Sequence, residues 1–425
     1  MSRLELTCEE LRERIGRNHS RLLDPYYQIG EIYQPFDAKW PGDKEGRALL
    51  AFVNHANMTG FENPCMEPFL EQYPQRINEK GYLGPIAKDA LFEQQLSGHS
   101  WMLRGLCAHY ERYQNERSLS YAKDIVNGLF LPTRGAYATY PIQRDHSEGG
   151  VSGNSIGVLN GWRISTDIGC AFMSIDGLSH YYVLTKECAV RDLLDEMIEV
   201  YSSIDKEKLK AQTHCTLTAA RGMLRMYGAT GETGYLDKAK KIYTLYTTSG
   251  MTLTYQNLNW WGRPDSWTEP CAIVDSLILA GELYRITGEA SYRRMAARIF
   301  HNGLASSQRP GGGAGTDSLV LQGQPYLFQK KPEAYFCCTM RLAEGLQYAL
   351  EHREMLYAEC SGVPTRDAYG RYMDGDILYA KPIYSDGRAG ELLPLVKYFR
   401  QDTAVSDTLR QQIIFENEEK ETTLC

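Results

Sequence analysis

An internal repeat constrains the fold of this chain more than any other feature of its sequence. The segment TGETGYLDKA at residues 230–239 recurs as TGEASYRRMA at residues 287–296, and weaker copies start at Asn115 and Thr185. Each copy follows one amphipathic helical pattern and opens another, which is typical of the connection in a helical hairpin. Because one hairpin cannot bury its own apolar stripe, successive hairpins must stack or close on themselves.

The first helices of the clearest hairpins can be aligned, and a further hairpin lies at residues 47–57. Their predicted starts are His99, Cys170, His214, Cys271 and Cys338. About six hairpins closing on themselves predict an all-α (α/α)6 toroid or barrel, with the first helix of each pair inside, whereas an open solenoid is the alternative. We expect residues 1–357 to form this barrel and residues 358–425 to form a short C-terminal extension with a few strands and a polar tail.

Composition and charge exclude several classes of protein. Lysine and arginine total 46 against 53 acidic residues, the net charge is −7, and no basic cluster occurs, which argues against a nucleic-acid partner. No apolar run approaches the roughly 18 residues of a membrane span. The N-terminal segment is charged and lacks the apolar core of a signal peptide, so the 11 cysteines are expected to be free thiols or metal ligands in a cytoplasmic protein.

Residues with chemical potential gather at the predicted helix starts. His99, His214, Cys271 and Cys338 each head an inner helix in this prediction, so a toroid would direct them to one central pocket. In the tripeptide at residues 269–271, proline disfavours a helical conformation for the preceding glutamate. An extended glutamate and the cysteine two positions later would share one side of the chain.

A vicinal pair, Cys337 and Cys338, lies at the start of the last inner helix. With Glu269 and Cys271 it supplies three sulfurs and one carboxylate, a tetrahedral Zn²⁺ set with Zn–S distances of about 2.3 Å. The alternative is ordinary packing, because cysteine is among the most buried residue types.

These motifs resemble one known family, the β-L-arabinofuranosidases of glycoside hydrolase family 127. The shared pattern is Glu-x-Cys, then Cys-Cys, then Arg341 four positions after the first cysteine of that pair. A Trp-x-Gly-Asp start at residues 40–43 and a Gly-Tyr-Leu turn at residues 81–83 are similar too, so the likeness covers about residues 25–360. The resemblance implies an (α/α)6 barrel and a retaining mechanism in which zinc-bound Cys337 is the nucleophile. It also implies the zinc ligands Glu269, Cys271, Cys337 and Cys338.

The chain departs from the family where a general acid is needed. The family places a glutamate in a glycine-rich stretch upstream of Glu-x-Cys, but residues 249–268 contain none. Asp265 is the substitute we favour, and Asp145 and Glu148 are alternatives from residues 131–162, a Gly- and Ser-rich segment predicted to be a lid. A third family histidine would fall near Cys170, where this chain has none. The family's β-sandwich domains are not found after the helices either, and a homodimer would cover the face they leave.

Several further side chains are expected to contact a small-molecule substrate, a sugar or glycoside. The predicted contacts are His99, His214, Trp261, Tyr326 and Tyr335. Asp275 is expected to point inward beneath the cluster, and the GGGAG segment at residues 311–315 is interpreted as a flexible connection.

Three functions remain open at this point. The first is a zinc-thiolate glycoside hydrolase acting on a β-L-arabinofuranoside-like sugar. The second is a lyase, isomerase or transferase on the same zinc-cysteine barrel. The third is a ligand-binding barrel in which zinc is structural, since four protein ligands are typical of structural zinc sites.

Overall fold

The structure is a computed structural model. It describes residues 3–34, 40–144, 152–252, 254–263, 265–319, 329–357, 364–366, 372–374, 378–380 and 393–396. The α-helices in these ranges are α1 (Arg3–Arg21), α2 (Ile29–Ile32), α3 (Asp43–Thr59), α4 (Met66–Gln72), α5 (Glu93–Tyr113), α6 (Glu116–Ile125), α7 (Ser174–Thr185), α8 (Cys188–Ser203), α9 (Lys206–Leu209), α10 (Thr213–Thr230), α11 (Thr233–Leu245), α12 (Pro270–Thr287), α13 (Ala290–Arg298), α14 (Ala305–Ser307), α15 (Cys338–Glu351) and α16 (Arg353–Tyr357).

The strands are short and form small sheets. They are β1 (Leu91–Phe92), β2 (Ser155–Leu159), β3 (Trp162–Ser165), β4 (Thr316–Asp317), β5 (Gln329–Lys331), β6 (Pro364–Arg366), β7 (Tyr372–Asp374), β8 (Leu378–Ala380) and β9 (Leu393–Val396). One sheet has the order β1-β3-β2, with β1 parallel and β2 antiparallel to β3. The other strands pair as β4-β5, β6-β7 and β8-β9, each antiparallel.

The chain divides into two compact units. Residues 19–245 form one of them, called here the 19–245 unit, and residues 1–18 with 246–425 form the other, called the 246–425 unit. In the 19–245 unit, helices α3, α5, α7 and α10 pack in succession, and α4, α6, α8 and α11 each pack against the member that precedes them in the chain. In the 246–425 unit, α12 packs against both α13 and α15, and α16 packs against α13 and α15.

The helices that come first in each pair are buried along most of their length, as the sequence predicts. In α12 every residue of 270–281 is buried, because few of its side chains are charged. Glycines permit the close approach of neighbouring backbones: a Cβ at Gly46 of α3 would lie 2.2 Å from the backbone of α5, and one at Gly177 of α7 would lie 2.5 Å from the carbonyl oxygen of Ser100. Backbone contact at these crossings therefore excludes any side chain.

The internal repeat marks the end of a buried helix and the turn after it. Helices α10 and α12 end at Thr230 and Thr287, and the following Gly231 and Gly288 have φ of +76° and +73°. In both copies the threonine hydroxyl donates to the carbonyl oxygen four residues back, at 2.8 and 2.7 Å, and accepts from the N–H two residues on, at 3.2 Å. In a weaker copy, Lys186 has the left-handed conformation with φ of +55°. The repeat is thus a helix C-cap, as hairpin connections require.

The predicted helix starts hold except at one position. Cys338 is the first residue of α15, Cys271 and His214 are the second residues of α12 and α10, and Cys170 opens a 3₁₀ turn before α7. The expectation that His99 opens an inner helix is wrong, because α5 begins at Glu93 and places it nearly two turns inside. Residues 93–98, which are polar or small apart from Leu96, are buried and already belong to the helix.

The segment predicted to be a lid is ordered at both of its described ends. It contains 3₁₀ turns at Leu131–Thr133 and Tyr137–Thr139 and the β2-β3 hairpin, whose turn residues Asn160 and Gly161 have φ of +51° and +79°. Two successive left-handed residues are typical of a type I′ hairpin turn. Asp145 and Glu148 lie outside the described residues. Beyond Tyr357 the described elements are strands β6 to β9, and the domain boundary at residue 357 stays a prediction.

Candidate metal centre

Glu269 and Cys271 are brought to one side of the chain by the conformation predicted for them. Glu269 precedes α12 with φ −130° and ψ 115°, an extended conformation, and Pro270 occupies the first position of the helix. The N–H of Glu269 donates to Oδ1 of Asn257 at 2.8 Å, and the N–H of Thr268 donates to the carbonyl oxygen of Asp317 at 2.9 Å. These two bonds fix the strand-like approach to α12.

Cys337 and Cys338 are held by the first turn of α15. The N–H of Cys337 donates to the carbonyl oxygen of Ala334 at 3.2 Å, and its own carbonyl accepts from the N–H of Arg341 at 3.1 Å. The N–H of Ala334 in turn donates to the carbonyl oxygen of Ala314 at 2.8 Å. The cysteine pair is therefore tied by backbone bonds to the glycine-rich segment that precedes it.

Ligand atoms of Glu269, Cys271, Cys337 and Cys338 all lie within 4.8 Å of one another. The Sγ atom of Cys338 is 3.5 Å from both other sulfurs. In a tetrahedral site with Zn–S distances of about 2.3 Å the sulfurs would be about 3.8 Å apart, which is close to these two sulfur–sulfur distances. The residues therefore form a cluster that could hold a metal ion, as the sequence predicts.

Burial and the neighbouring thiols oppose ionisation of Cys338 as long as no cation is bound. Cys271 and Cys338 are buried, whereas Cys337 and Glu269 are partly exposed. Burial raises the pKa of the Cys338 thiol well above its ordinary value, and the neighbouring thiols of Cys271 and Cys337 raise it further. Helices α12 and α15 both begin at the cluster, and helix N-termini favour negative charge. A bound cation would offset the burial and allow the sulfurs to be thiolates.

The GGGAG segment is a packed connection, which corrects the expectation of a flexible one. Residues 312–315 are buried, and Gly312 has φ of +87°. A Cβ there would lie 2.0 Å from the carbonyl oxygen of Arg17 in α1. Asn18, which is fully buried, donates to the carbonyl oxygens of both Gly312 and Thr339, at 2.9 and 3.1 Å. Asn18 of α1 therefore ties the turn at Gly312 to the first turn of α15, through contacts between residues about 300 positions apart.

The three aromatic residues predicted to contact a substrate differ in their surroundings. Trp261 is completely buried beneath Gly250, where it packs edge to face with Tyr246, so in this structure it offers no ring face to a sugar. Tyr335 is half-buried and meets Phe336 edge to face. Tyr326 lies outside the described residues.

Trp267 is better exposed than Trp261. It is half-buried, its ring meets Trp260 edge to face at 5.2 Å, and it lies two residues before Glu269. Ser266 and Thr268, on either side of it, are buried. Alternation of this kind in an extended segment puts Trp267 and Glu269 on the same face.

The two predicted histidines belong to the 19–245 unit and differ from each other. In His99 both ring nitrogens are bonded to the backbone: Nδ1 donates to the carbonyl oxygen of Gln95 at 2.8 Å, and Nε2 accepts from the N–H of Leu83 at 3.0 Å. Burial lowers the pKa of His99 to about 4. His99 therefore supports the chain turn at Leu83, and its contact with substrate stays a prediction. His214 stacks on Trp101 at 5.9 Å, and its contact with substrate stays a prediction.

Asp265 is poorly suited to be a general acid. Its side chain is 63% exposed, and its two oxygens accept from Nε and a terminal nitrogen of Arg263 at 2.7 and 2.5 Å. The same bond raises the pKa of Arg263. Both oxygens of this carboxylate are thus engaged by one guanidinium at the surface.

Sequence reasoning missed most residues that support the cluster. Asn257, Arg309 and Asp317 carry no local sequence signal for this role. Asp317 is buried and accepts from Arg309 at 2.8 Å, while burial raises its pKa and Arg309 lowers it. No local pattern connects these positions, because each contact joins separate segments. For Asp275, the spacing of four residues from Cys271 was the available signal, and the structure pairs it with Arg341 at 2.6 Å.

Comparisons with known proteins identify the fold. No family model matches the chain, and no curated protein sequence matches it. Among solved structures, a family 127 β-arabinofuranosidase superposes with a TM-score of 0.52 at 14% identity, covering 81% of this chain and 57% of the other. A structure titled glycoside hydrolase gives 0.51 at 13%, covering 72% and 55%, and the cellobiose 2-epimerase of Bacillus thermoamylovorans gives 0.53 at 12%, covering 81% and 98%.

The chain thus spans little more than half the length of the two hydrolases. Among the described helices, none is long and apolar enough to cross a membrane. At such low identity the likeness concerns the fold alone. The chain has the all-α, (α/α)6-barrel fold found in these structures, including that of the family 127 β-arabinofuranosidase.

Proposed function

We propose that this chain is a metal-dependent sugar enzyme, a retaining glycoside hydrolase for a β-L-arabinofuranoside-like substrate with Cys337 as its nucleophile. One observation carries the proposal. Of the three cysteines in the cluster, Cys271 and Cys338 are buried, and Cys337 is the partly exposed one. A thiolate at a helix N-terminus is a strong nucleophile, and the resemblance in sequence assigns the same residue.

The ligands of Zn²⁺ would be Glu269, Cys271, Cys337 and Cys338. When bound, zinc supplies positive charge that keeps the sulfurs deprotonated. Cys271 and Cys338 then serve as fixed ligands because both are buried in the first turns of α12 and α15. Asn257 keeps Glu269 extended through the bond to its N–H, which leaves the carboxylate on the side of the sulfurs.

The reaction requires two displacements at the anomeric carbon. The Cys337 thiolate forms a C–S bond while the bond from that carbon to the leaving oxygen breaks and the oxygen takes the electron pair. Water then forms a C–O bond from the side opposite the sulfur, the sulfur leaves as thiolate with the electron pair of the C–S bond, and the water releases a proton to the solvent. Two inversions return the original configuration, so the sugar is released with retention.

The leaving group determines how fast the first displacement is. Asp265 is ion-paired with Arg263 and exposed, so we do not assign it the role of general acid. A leaving oxygen that departs as a stable anion needs no proton, whereas an alkoxide does. We therefore expect aryl glycosides with acidic phenols to be turned over much faster than alkyl glycosides.

Two aromatic side chains near the cluster are proposed to contact the sugar. Trp267 shares a face with Glu269, and Tyr335 lies two residues before Cys337. Both are half-buried, which leaves part of each ring open, and an aromatic face suits the C–H face of a sugar. We expect Trp267→Ala to raise KM for the aryl glycoside several-fold while leaving kcat near that of the parent.

A second candidate is a non-hydrolytic sugar enzyme such as an epimerase. It is suggested by the cellobiose 2-epimerase, on which the chain superposes with a TM-score of 0.53. The missing family glutamate agrees with such a reaction. Incubation with free aldoses and with disaccharides, followed by ¹³C NMR, would reveal an epimer without release of a monosaccharide.

The decisive experiment combines zinc analysis of the purified protein with intact mass spectrometry after incubation with 4-nitrophenyl β-L-arabinofuranoside. One equivalent of zinc and a pentose adduct that maps to Cys337 are expected. Cys337→Ser should lose the adduct and turnover, whereas Cys188→Ser, which removes an exposed thiol of α8, should lose neither.

Other outcomes separate the alternatives. Bound zinc without an adduct or turnover would refute the hydrolase proposal. A structural metal site or a non-hydrolytic sugar enzyme would then remain. A protein without zinc, from cells grown with it, would reject the metal cluster itself. An adduct on Cys188 instead of Cys337 would reject the assignment of the nucleophile.

A further inference from the structure

A buried ion pair joins the two helices that carry the cysteine ligands. A terminal nitrogen of Arg341 in α15 is 2.6 Å from Oδ1 of Asp275 in α12. The side chain of Arg341 is 1% exposed and that of Asp275 is not exposed at all. This ion pair therefore lies entirely in the interior of the 246–425 unit.

The ion pair lies one helical turn beyond the cluster on both helices. Asp275 is four residues after Cys271, and Arg341 is three residues after Cys338. Residues three and four apart lie on the same face of a helix, and their side chains lean toward its N-terminus. The pair and the two buried sulfurs thus occupy successive layers of one helix–helix contact, with the sulfurs 3.5 Å apart.

We propose that Arg341 and Asp275 are positioning residues for the metal cluster, which set the separation of α12 and α15 and through it the affinity for the metal ion. Desolvation of two charges offsets most of the attraction between them, so such a pair contributes little to stability but demands a defined geometry. A guanidinium is planar and rigid, which makes it suited to this task. The inference rests on the metal cluster of the proposed function and is independent of the reaction.

Glu344 provides a matched control on the same guanidinium. It lies three residues after Arg341 on α15 and pairs with its other terminal nitrogen. This second contact stays within one helix, so it cannot set the distance between α12 and α15. Removal of the Glu344 charge should therefore leave the cluster unchanged, although the same arginine loses a partner.

The test is the affinity of the full chain for Zn²⁺, measured by competition with a chromophoric chelator. Asp275→Asn should raise the Kd by about 10–100-fold, the usual effect of losing a partner beyond the ligands, whereas Glu344→Gln should stay within about 3-fold of the parent. The sulfur-to-metal charge-transfer bands of the Co²⁺ form should shift in Asp275→Asn only. Both readouts are independent of turnover.

General destabilisation is separated from positioning by two further variants. Asp176→Asn breaks a buried ion pair of the 19–245 unit, with Arg104 at 3.0 Å, and should lower Tm without changing the Kd. The double variant Asp275→Leu/Arg341→Met replaces both charges by apolar groups, so it should fold and still bind Zn²⁺ weakly.

A parent-like Kd in Asp275→Asn or in the double variant would overturn the proposal. So would an equal loss of affinity in Glu344→Gln or Asp176→Asn. If the parent itself bound no Zn²⁺, the metal cluster of the proposed function would fail. If the parent bound Zn²⁺ but released no sugar, the hydrolase alone would fail.

Discussion

Replacement of His99 by glutamine should change how the stability of the protein depends on pH. The ring of His99 is buried and neutral, with a pKa lowered by burial from 6.5 to about 4. The unfolded chain binds a proton below pH 6.5, whereas the folded protein does so only near pH 4. The stability that depends on neutral His99 is therefore complete above pH 6.5 and is lost as the pH falls to 4.

The magnitude follows from the size of the shift. A difference of about 2.5 pKa units corresponds to about 3.4 kcal/mol, most of which is lost by pH 4. Glutamine cannot titrate, and its amide oxygen can still accept the bond from the N–H of Leu83. It loses the bond from Nδ1 to the carbonyl oxygen of Gln95, at a cost of about 1 kcal/mol. His99→Gln should thus be less stable than the parent at pH 7 and more stable at pH 4.

Urea denaturation followed by circular dichroism at pH 7, 5.5 and 4 checks this expectation. The free energies of unfolding of parent and variant should cross between pH 5 and about 6. If the free energies of unfolding of parent and variant instead changed in parallel with pH, His99 would not be a buried, neutral side chain. A large loss of turnover at pH 7 in a variant that remains folded would instead return His99 to the substrate site.

Three other changes test separate parts of the structure. Burial raises the pKa of Asp167 from 3.8 to about 6, so the ionised carboxylate destabilises the folded protein above pH 6. Asp167→Asn should therefore increase the free energy of unfolding, measured by urea denaturation, by up to about 3 kcal/mol above pH 6 and change it little at pH 4. Gly312→Ala should lower Tm by several degrees, because Gly312 has a left-handed φ and its Cβ would meet the carbonyl oxygen of Arg17 in α1. Gly311→Ala should leave Tm unchanged, because nothing lies close to that position, and equal effects of the two changes would contradict the packed turn. Asp265→Asn should keep the height and the acid limb of the pH–rate profile, and loss of that limb would restore Asp265 as the acid.

The fold could be predicted from the sequence where its signals are local. The repeated Thr-Gly-Glu predicts hairpins because a glycine with positive φ and a threonine that bonds back to its own helix end a helix by local chemistry. Glu269 and Cys271 were predicted to share one side because proline restricts the residue before it. A few strands were expected after residue 357, and strands β6 to β9 lie there.

The errors arose where distant contacts override local preference. His99 was placed at a helix start, but the six residues before it are buried and already belong to α5. The glycines at 311–315 indicated flexibility, but helix α1 approaches Gly312 so closely that a side chain is excluded. Trp261 was expected to contact a sugar, and Gly250 allows it to be buried instead.

By itself the sequence determined the hairpin architecture and the identity of the four candidate ligands. Both depend on spacing, caps and the position of a helix start, which neighbouring residues define. Tertiary structure decided which sulfur is partly exposed, that Asp275 pairs with Arg341, and that Asp265 pairs with Arg263 at the surface. Burial and ion pairing depend on what other segments bring to a side chain, and a protonation state or an accessible thiol exists only once those segments have packed.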